Sequence, residues 1–461
     1  MSDDVVHVVV LPSAGMGHLT PFLRLSALLL HQHCKVTLII PQPTVTLSES
    51  QLLSRFHSTF PQVNQLHFQL PPPTSNEGDP LFQRVEAIRA SGPILSTLLS
   101  SISSPPLSVV VSDIFMISTL VPITHTLSLP NYVLFTSSAT MFAFFSHCST
   151  LSASSDAVEI PGISPIPRSS IPPVFLVPDS KSVLRNIFME DSPKVTKLHG
   201  FLINTFEALE QQALEALNAG KVVSEMPPVF SVGPFAPCEF EKEGQWGNGK
   251  PLRWLDDQDS GSVVYVSFGS RTALGRDQIR EIGEGLMRSG CRFLWVVKDK
   301  IVDREEEEGK LEDVLGVELV ERMREKGMVM KEWVYQSGIL GHRAVGGFVS
   351  HCGWNSVMEA AWNGVPILGW PQHGDQKLNA EVVERSGWGI WNKNWGWIGE
   401  RIVKAEEIGK AINAMMNNES LKVKAAQVKE VGRKATSVDG DCEVTLHKII
   451  EEWKNVENKG R

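Results

Sequence analysis

The chain is predicted to be α/β, with two doubly wound, mainly parallel sheets. Three observations carry this: apolar runs of strand length recur throughout, helical patterns separate them, and the alternation stops once near the middle before restarting. "VVHVVVLP" (Val5 to Pro12) reads as the first strand. "TPFLRLSALLLHQH" reads as the first helix, with Thr20 at its cap and Pro21 in its first turn. "KVTLIIP", "LSVVVSD", "NYVLFT", "GFLINT" and "PVFSVG" are further strands of this half. Periodicity is then lost in "FAPCEFEKEGQWGNGKPL", where Gly, Pro and charge accumulate, so 1–235 is one domain and 236–252 a linker. Strands resume with "SVVYVSFGS", "CRFLWVV", "GMVMKEWV", "AVGGFVS" and "VPILGWP", giving a second domain over 253–435 and a final helix over 436–461. "DREEEEGKLED" reads as a solvated loop and helix start, and the Pro- and Ser-rich stretches Pro71 to Ser75 and Pro161 to Pro173 as surface loops.

At 461 residues, two to three domains are expected from roughly 150 residues each. A net charge of −9 leaves no basic stripe for nucleic acid. The six cysteines show no C-x-x-C and no metal-like spacing, which reads as reduced thiols in the cytoplasm. "MSDDVV" lacks the positive charge of a secretory signal. No run reaches the ~18 apolar residues of a membrane span; "VVVSDIFMISTLV" is broken by Asp113. A soluble, cytoplasmic monomer without a membrane span is expected.

After the first strand, "PSAGMGHLTP" carries Gly15 and Gly17 but not the third glycine of a dinucleotide fingerprint, and no acid clearly ends the second strand. A nicotinamide dehydrogenase therefore stands as a weak alternative. His18 falls where α/β sheets present ligand groups, just before a helix whose dipole favours neutral imidazole. It is either a helix cap or a base. Asp113 ends another apolar strand; it either caps the next helix or, if the strands are neighbours, accepts the second N–H of His18 as a triad carboxylate does. "VSFGS" lacks the frame of a hydrolase nucleophile.

"SHCGWNSVMEAAWNGVP" (Ser350 to Pro366) places a polar turn between a buried strand and a helix stopped at Gly364, where helix N–H groups favour an anion. Ser356-Val357-Met358-Glu359 also fits an S-x-x-E capping box.

The stretch Trp333 to Gln376, "WVYQSGILGHRAVGGFVSHCGWNSVMEAAWNGVPILGWPQHGDQ", resembles the plant secondary-product glycosyltransferase box of family 1 UDP-glycosyltransferases. "PSAGMGHLTP" and "WLDDQDSGSVVYVSFGS" (Trp254 to Ser270) are similar to the same family. The resemblance implies GT-B: two Rossmann-like doubly wound parallel-sheet domains facing across a cleft, the first for the acceptor and the second for the UDP-sugar, with the final helix packing back on the first. It implies Trp333 stacked on uracil, and Val334 with Gln336 at its polar edge. Glu359 takes the ribose hydroxyls. His351, Gly353, Asn355 and Ser356 lie at the pyrophosphate with Ser270 beside them, and Trp354, Asp375 and Gln376 at the sugar. His18 is the implied base and Asp113 its partner.

UDP-glucose is the implied co-substrate. No cofactor is held permanently, and no metal is expected, since no Asp-x-Asp pair stands in the box. Tyr335, His373 and Arg271 depart from the family's usual residues. Together with Trp388, Trp391, Trp395 and Trp397 they resemble the subfamily that forms C-glucosides of phenolics such as 2-hydroxyflavanones or phloretin-like ketones; the tryptophans also read as loop packing. O-glucosylation and a non-catalytic sugar-nucleotide-binding protein are the other readings. The acceptor pocket is expected from segments near Phe82 to Ile88, Phe142 to Phe145 and Val174 to Phe188.

Overall fold

Uninterrupted runs of β-branched and aromatic residues can be buried on both faces only in a sheet covered by helices. The computed structural model describes residues 5–44, 46–72, 79–150, 156–177, 181–242, 249–300 and 310–459. Parts of two expected loops (73–75 and 303–309) and of the expected linker (243–248) lie outside them. The strands of the first half are β1 (His7–Leu11), β2 (Lys35–Gln42), β3 (Asn64–Gln69), β4 (Val109–Asp113), β5 (Asn131–Phe135), β6 (Ala157–Val158), β7 (Ile166–Pro167), β8 (Gly200–Ile203) and β9 (Val229–Ser231). Those of the second are β10 (Val263–Ser267), β11 (Arg292–Val296), β12 (Gly327–Met330), β13 (Val345–Ser350), β14 (Ile367–Gly369) and β15 (Gly389–Trp391).

One parallel sheet has the order β3-β2-β1-β4-β5-β8-β9 and the other β12-β11-β10-β13-β14-β15, while β6 and β7 form a short antiparallel pair. Each sheet winds outward from a central strand and then reverses, at β1/β4 and at β10/β13. Such a reversal opens a crevice beyond the carboxyl ends of the two strands, because their following helices leave on opposite faces. Leu11 is in register with Ser112, and Ser267 with Ser350. The segments that follow these four strands are therefore the ones brought to the crevices.

The chain divides into two compact units, Met1–Phe240 with Lys434–Arg461, and Glu241–Arg433. The first is built on Val8, Val10, Phe22, Leu25, Val36 and Leu134, and takes Leu446, Ile449, Ile450 and Trp453 of the last helix, Asp441–Lys459, into the same core. Burying each such side chain contributes about 1.5–3 kcal/mol, which fastens the returning segment to this unit. The second unit packs Ile279, Ile282 and Leu286 of helix Arg276–Ser289, with Ile408, Ile412 and Met415 of helix Ala405–Met416, on Val264, Val266 and Trp295.

Three sequence expectations are corrected. The first helix is Met16–His31, so Thr20 is not its cap and Pro21 lies inside it. Gly15, at φ 95, makes the turn that starts the helix early, and a proline near the N-terminus removes only one ladder bond. β3 was absent from the reading, since "NQLHFQ" is mostly polar at a sheet edge. β15 lies within the Trp-rich stretch, where Trp388 and Trp395 are buried and Trp395 lies 4.4 Å from Trp370. No helix among the described residues is long and apolar enough to cross a membrane.

Candidate functional site

At the first crevice, His18 lies in the first turn of helix Met16–His31 rather than ahead of it, with its N–H on the Gly15 carbonyl at 3.0 Å. Asp113, the last residue of β4, is fully buried, whereas the imidazole keeps 23% of its side-chain exposure. Asp113 Oδ2 stands 2.7 Å from His18 Nδ1, and Oδ1 accepts the Phe115 N–H at 3.0 Å. Its two oxygens make two different contacts: one caps the short turn Ile114–Met116 and the other faces the histidine. An ionised carboxylate only accepts, so a neutral imidazole facing it carries its hydrogen on Nδ1. Thr136 Oγ1, at the end of β5, is 3.2 Å from Nδ1, and the Phe115 ring is 5.1 Å from the imidazole. The sequence reading missed Thr136; its signal was the strand "NYVLFT" that it ends.

At the second crevice, β13 runs into His351, whose ring is held between two glycines. A Cβ on Gly269 or on Gly353 would fall 2.5 Å from His351 Nε2. Burial, assisted by nearby His373, pushes the imidazole down to about 3, so His351 is neutral at ordinary pH. Helix Trp354–Asn363 follows, capped by Gly353, and its first ladder bond runs from Val357 N–H to the Gly353 carbonyl. The N–H groups of Gly353 to Ser356 therefore precede the helical ladder, at the positive end of the helix dipole.

The capping-box reading fails here, because Ser356 lies inside the helix. Its Oγ instead accepts from Gln336 Nε2 at 2.9 Å. The same Nε2 donates to Glu359 Oε2 at 2.9 Å, and Gln336 Oε1 accepts from the buried Tyr265 hydroxyl at 3.2 Å. Both hydrogens of the Gln336 amide thus go to protein, so the side chain has no donor left for a base and only Oε1 and the backbone remain to read one. Trp333 is half-buried three residues upstream, Val334 is buried, and Ser270 is half-buried in the loop after β10. Tyr265 was read as a strand residue only.

Asp375 is the N-cap residue of helix Gln376–Arg385, and Gln376 is buried at its start. Gln376 Oε1 accepts the N–H groups of Gln372 at 2.8 Å and His373 at 3.0 Å. Two backbone donors fix which end of the amide is oxygen. Its Nε2 accordingly lies 3.4 Å from His373 Nδ1, and His373 Nε2 is 3.0 Å from Thr272 Oγ1. Trp354 is buried and Asn355 half-buried. All twelve residues expected at the donor belong to the second unit, and His18 with Asp113 to the first. Phe142, Phe144 and Phe145, expected near a pocket, are fully buried core against Phe135, Phe201, Phe175 and Phe188. Among the described residues no group of three or more His, Cys, Asp or Glu is placed to hold a metal.

Two Rossmann-like sheets, each with polar groups at its reversal, make up the GT-B fold of sugar-nucleotide-dependent glycosyltransferases. A family model described as UDP-glucoronosyl and UDP-glucosyl transferase matches residues 252–434. Across 98% of its length the chain is 51% identical to UDP-glycosyltransferase 708G2 of Citrus unshiu, covering 97% of that protein. It is 53% identical to UDP-glycosyltransferase 708D1 of Glycine max, covering 98% of each. The crystal structure of LpCGTa in complex with UDP superposes with a TM-score of 0.86 at 40% identity, covering 97% of this chain and 99% of that one. The chain belongs to the plant family 1 UDP-glycosyltransferases and resembles their C-glucosyltransferase subfamily. It is an enzyme that uses a UDP-sugar donor.

Proposed function

We propose that the enzyme transfers glucose from UDP-glucose to a ring carbon of a polyhydroxylated phenyl ketone or 2-hydroxyflavanone, inverting the anomeric centre to a β-C-glucoside. The observation that carries base-assisted transfer to a phenol is the 2.7 Å approach of Asp113 Oδ2 to His18 Nδ1, which orients the imidazole as a base; the pair itself does not choose between oxygen and carbon. Relatives designated CGT favour carbon as the atom attacked.

In this reading residues 1–235 with the final helix take the acceptor and residues 253–435 take the donor. His18 Nε2 removes the phenol proton and Asp113 stabilises the imidazolium. Phenolate charge spreads to the ortho and para carbons. One of these attacks the anomeric carbon, the bond to UDP breaks with its electron pair on the leaving phosphate, and the ring hydrogen departs as a proton to restore aromaticity. A phenol near pKa 10 giving its proton to a histidine near 6.5 is uphill by about 4.8 kcal/mol, which the Asp113 carboxylate reduces.

Trp333 stacks on uracil, with Val334 and Gln336 at its edge, and Glu359 takes the ribose diol. His351, Gly353, Asn355, Ser356 and Ser270 receive the pyrophosphate, where helix N–H groups stabilise the leaving charge. Trp354, Asp375 and Gln376 meet the glucose. The protein works as a monomer in the cytoplasm, where six cysteines with no disulfide among them suit a reducing compartment. The test is to incubate the enzyme with UDP-glucose and phloretin and treat the product with acid. A C–C linkage survives, whereas release of glucose shows O-transfer and rejects the C-glucoside reading.

A further inference from the structure

Asn379 lies one turn into helix Gln376–Arg385 and is fully buried. Its Nδ2 donates to Asp375 Oδ2 at 2.8 Å and to the Cys352 carbonyl at 3.0 Å. Both partners are acceptors only, so the orientation of the amide is not in doubt and both hydrogens are used. Asp375 is an ordinary i−4 neighbour. Cys352 is not: it sits in the turn after β13, between His351 and Gly353. Its φ of 63 is a left-handed conformation that a residue other than glycine keeps only when its surroundings impose it. Two bonds do so, the one from Asn379 to its carbonyl and one from its own N–H to Ser350 Oγ at 3.1 Å.

We propose that Asn379 is a positioning residue for glucosyl transfer, one amide group that holds the pyrophosphate turn and the sugar-facing carboxylate at a fixed separation. This rests on the reading above that Asp375 meets the sugar and the 351–353 turn the phosphates. An amide serving only to satisfy buried polar groups would join core elements. This one joins two loops at the same crevice, and each acceptor it holds belongs to a loop with ligand-facing atoms. Without it the Asp375 carboxylate loses its anchor to Asn379 and the Cys352 turn can relax, so the glucose shifts relative to a pyrophosphate that is still bound.

Asn379→Asp keeps the shape and sets a carboxylate against the Asp375 carboxylate and the Cys352 carbonyl; Asn379→Ser keeps one donor hydrogen. The KM for UDP-glucose is expected to rise about tenfold or more in Asn379→Asp and less in Asn379→Ser, the size of a lost bond to a charged group. The dissociation constant of UDP, measured by calorimetry, rises by a smaller factor, and the preference for UDP-glucose over UDP-galactose falls. Adding Cys352→Gly, for which a positive φ is unstrained, to Asn379→Ser restores UDP affinity but not the donor preference. Folded variants that lower only the melting temperature, with wild-type KM, UDP affinity and donor preference, would overturn the proposal, as would a failed rescue by Cys352→Gly. Asp375→Ala separates the layers. An unchanged UDP-glucose KM there removes the sugar role of Asp375 itself. A raised KM there, with a normal KM in Asn379→Asp, removes only the role of Asn379.

Discussion

Replacing Asp113 by Asn separates the charge of the carboxylate from its shape. Oδ2 faces His18 Nδ1 at 2.7 Å and Oδ1 takes the Phe115 N–H at 3.0 Å, but an amide can keep only one of these acceptors. If its oxygen stays on Phe115, its NH2 faces Nδ1 and drives the imidazole hydrogen onto Nε2, the atom that receives the phenol proton in the proposed mechanism. If the amide turns over, two donors meet at the Phe115 N–H and the turn Ile114–Met116 loses its cap. Either way a charge-assisted bond of about 1.5–3 kcal/mol is lost. Set against an uphill proton transfer of roughly 4.8 kcal/mol, Asp113 offsets between about a third and three-fifths of the cost. Its loss should slow kcat by about 10- to 150-fold, with the wrong tautomer adding to that. Initial rates at saturating UDP-glucose measure it, and calorimetry should find UDP affinity unchanged. The deficit should shrink with a more acidic phenol, whose proton needs less help. A kcat within about threefold of wild type, with UDP affinity intact, would refute the assignment.

Gly353→Ala needs no backbone strain at φ −59, yet its Cβ would fall 2.5 Å from His351 Nε2; displacing that ring should cost UDP binding about 1–3 kcal/mol, read by calorimetry, and an unaltered affinity would exclude His351 from the phosphate site. Gln336→Leu leaves Glu359 and Ser356 without their shared donor, so UDP should bind about tenfold more weakly, whereas UDP affinity equal to wild type would show that Glu359 needs no brace. The His351 pKa is lowered from 6.5 to about 3 in the folded chain, so between these values the unfolded chain binds a proton that the native one does not. Stability should therefore fall as pH drops from 6.5 toward 3, and scanning calorimetry should find a shallower fall in His351→Gln; equal slopes would mean that the imidazole is not buried neutral.

Strands buried on both faces were legible because a run such as "VVVSD" or "SVVYVS" has no other way to hide its side chains. The hairpin β6/β7 and the edge strands β3 and β15 were not, because a half-exposed or two-residue strand carries little hydrophobic signal. The start of the first helix was misplaced because Pro21 looks like a first-turn residue, while the positive φ of Gly15 that begins the helix is invisible in the letters. At the candidate site the chemistry-bearing types His18, Asp113, His351 and Glu359 stood out. Their supports did not. Thr136, Tyr265, Thr272 and Asn379 are ordinary residues of strands, loops and helices until the sheet order brings β5 beside β4 and the end of β10 beside β13. Periodicity reports which face of an element is buried; it does not report which two loops share a crevice. That explains why Ser356-Val357-Met358-Glu359 also fitted a capping box, when only the Gly353 cap and the Gln336 contact distinguish the two.

The same geometry limits what the His18–Asp113 pair can decide. Removing a phenol proton yields one anion whose charge is shared between oxygen and the ortho and para carbons, so the base acts before the routes to O- and C-glucoside part. What separates them is which atom is held about 3–3.5 Å from the anomeric carbon, a matter of acceptor placement and not of basicity. Asp113→Asn should therefore slow both routes by the same factor and leave the ratio of C- to O-product unchanged, as measured by chromatography of the product mixture before and after acid treatment. If the ratio moves with the rate, the carboxylate is helping to seat the acceptor as well as tuning the imidazole, and selectivity would then have to be sought at the base itself.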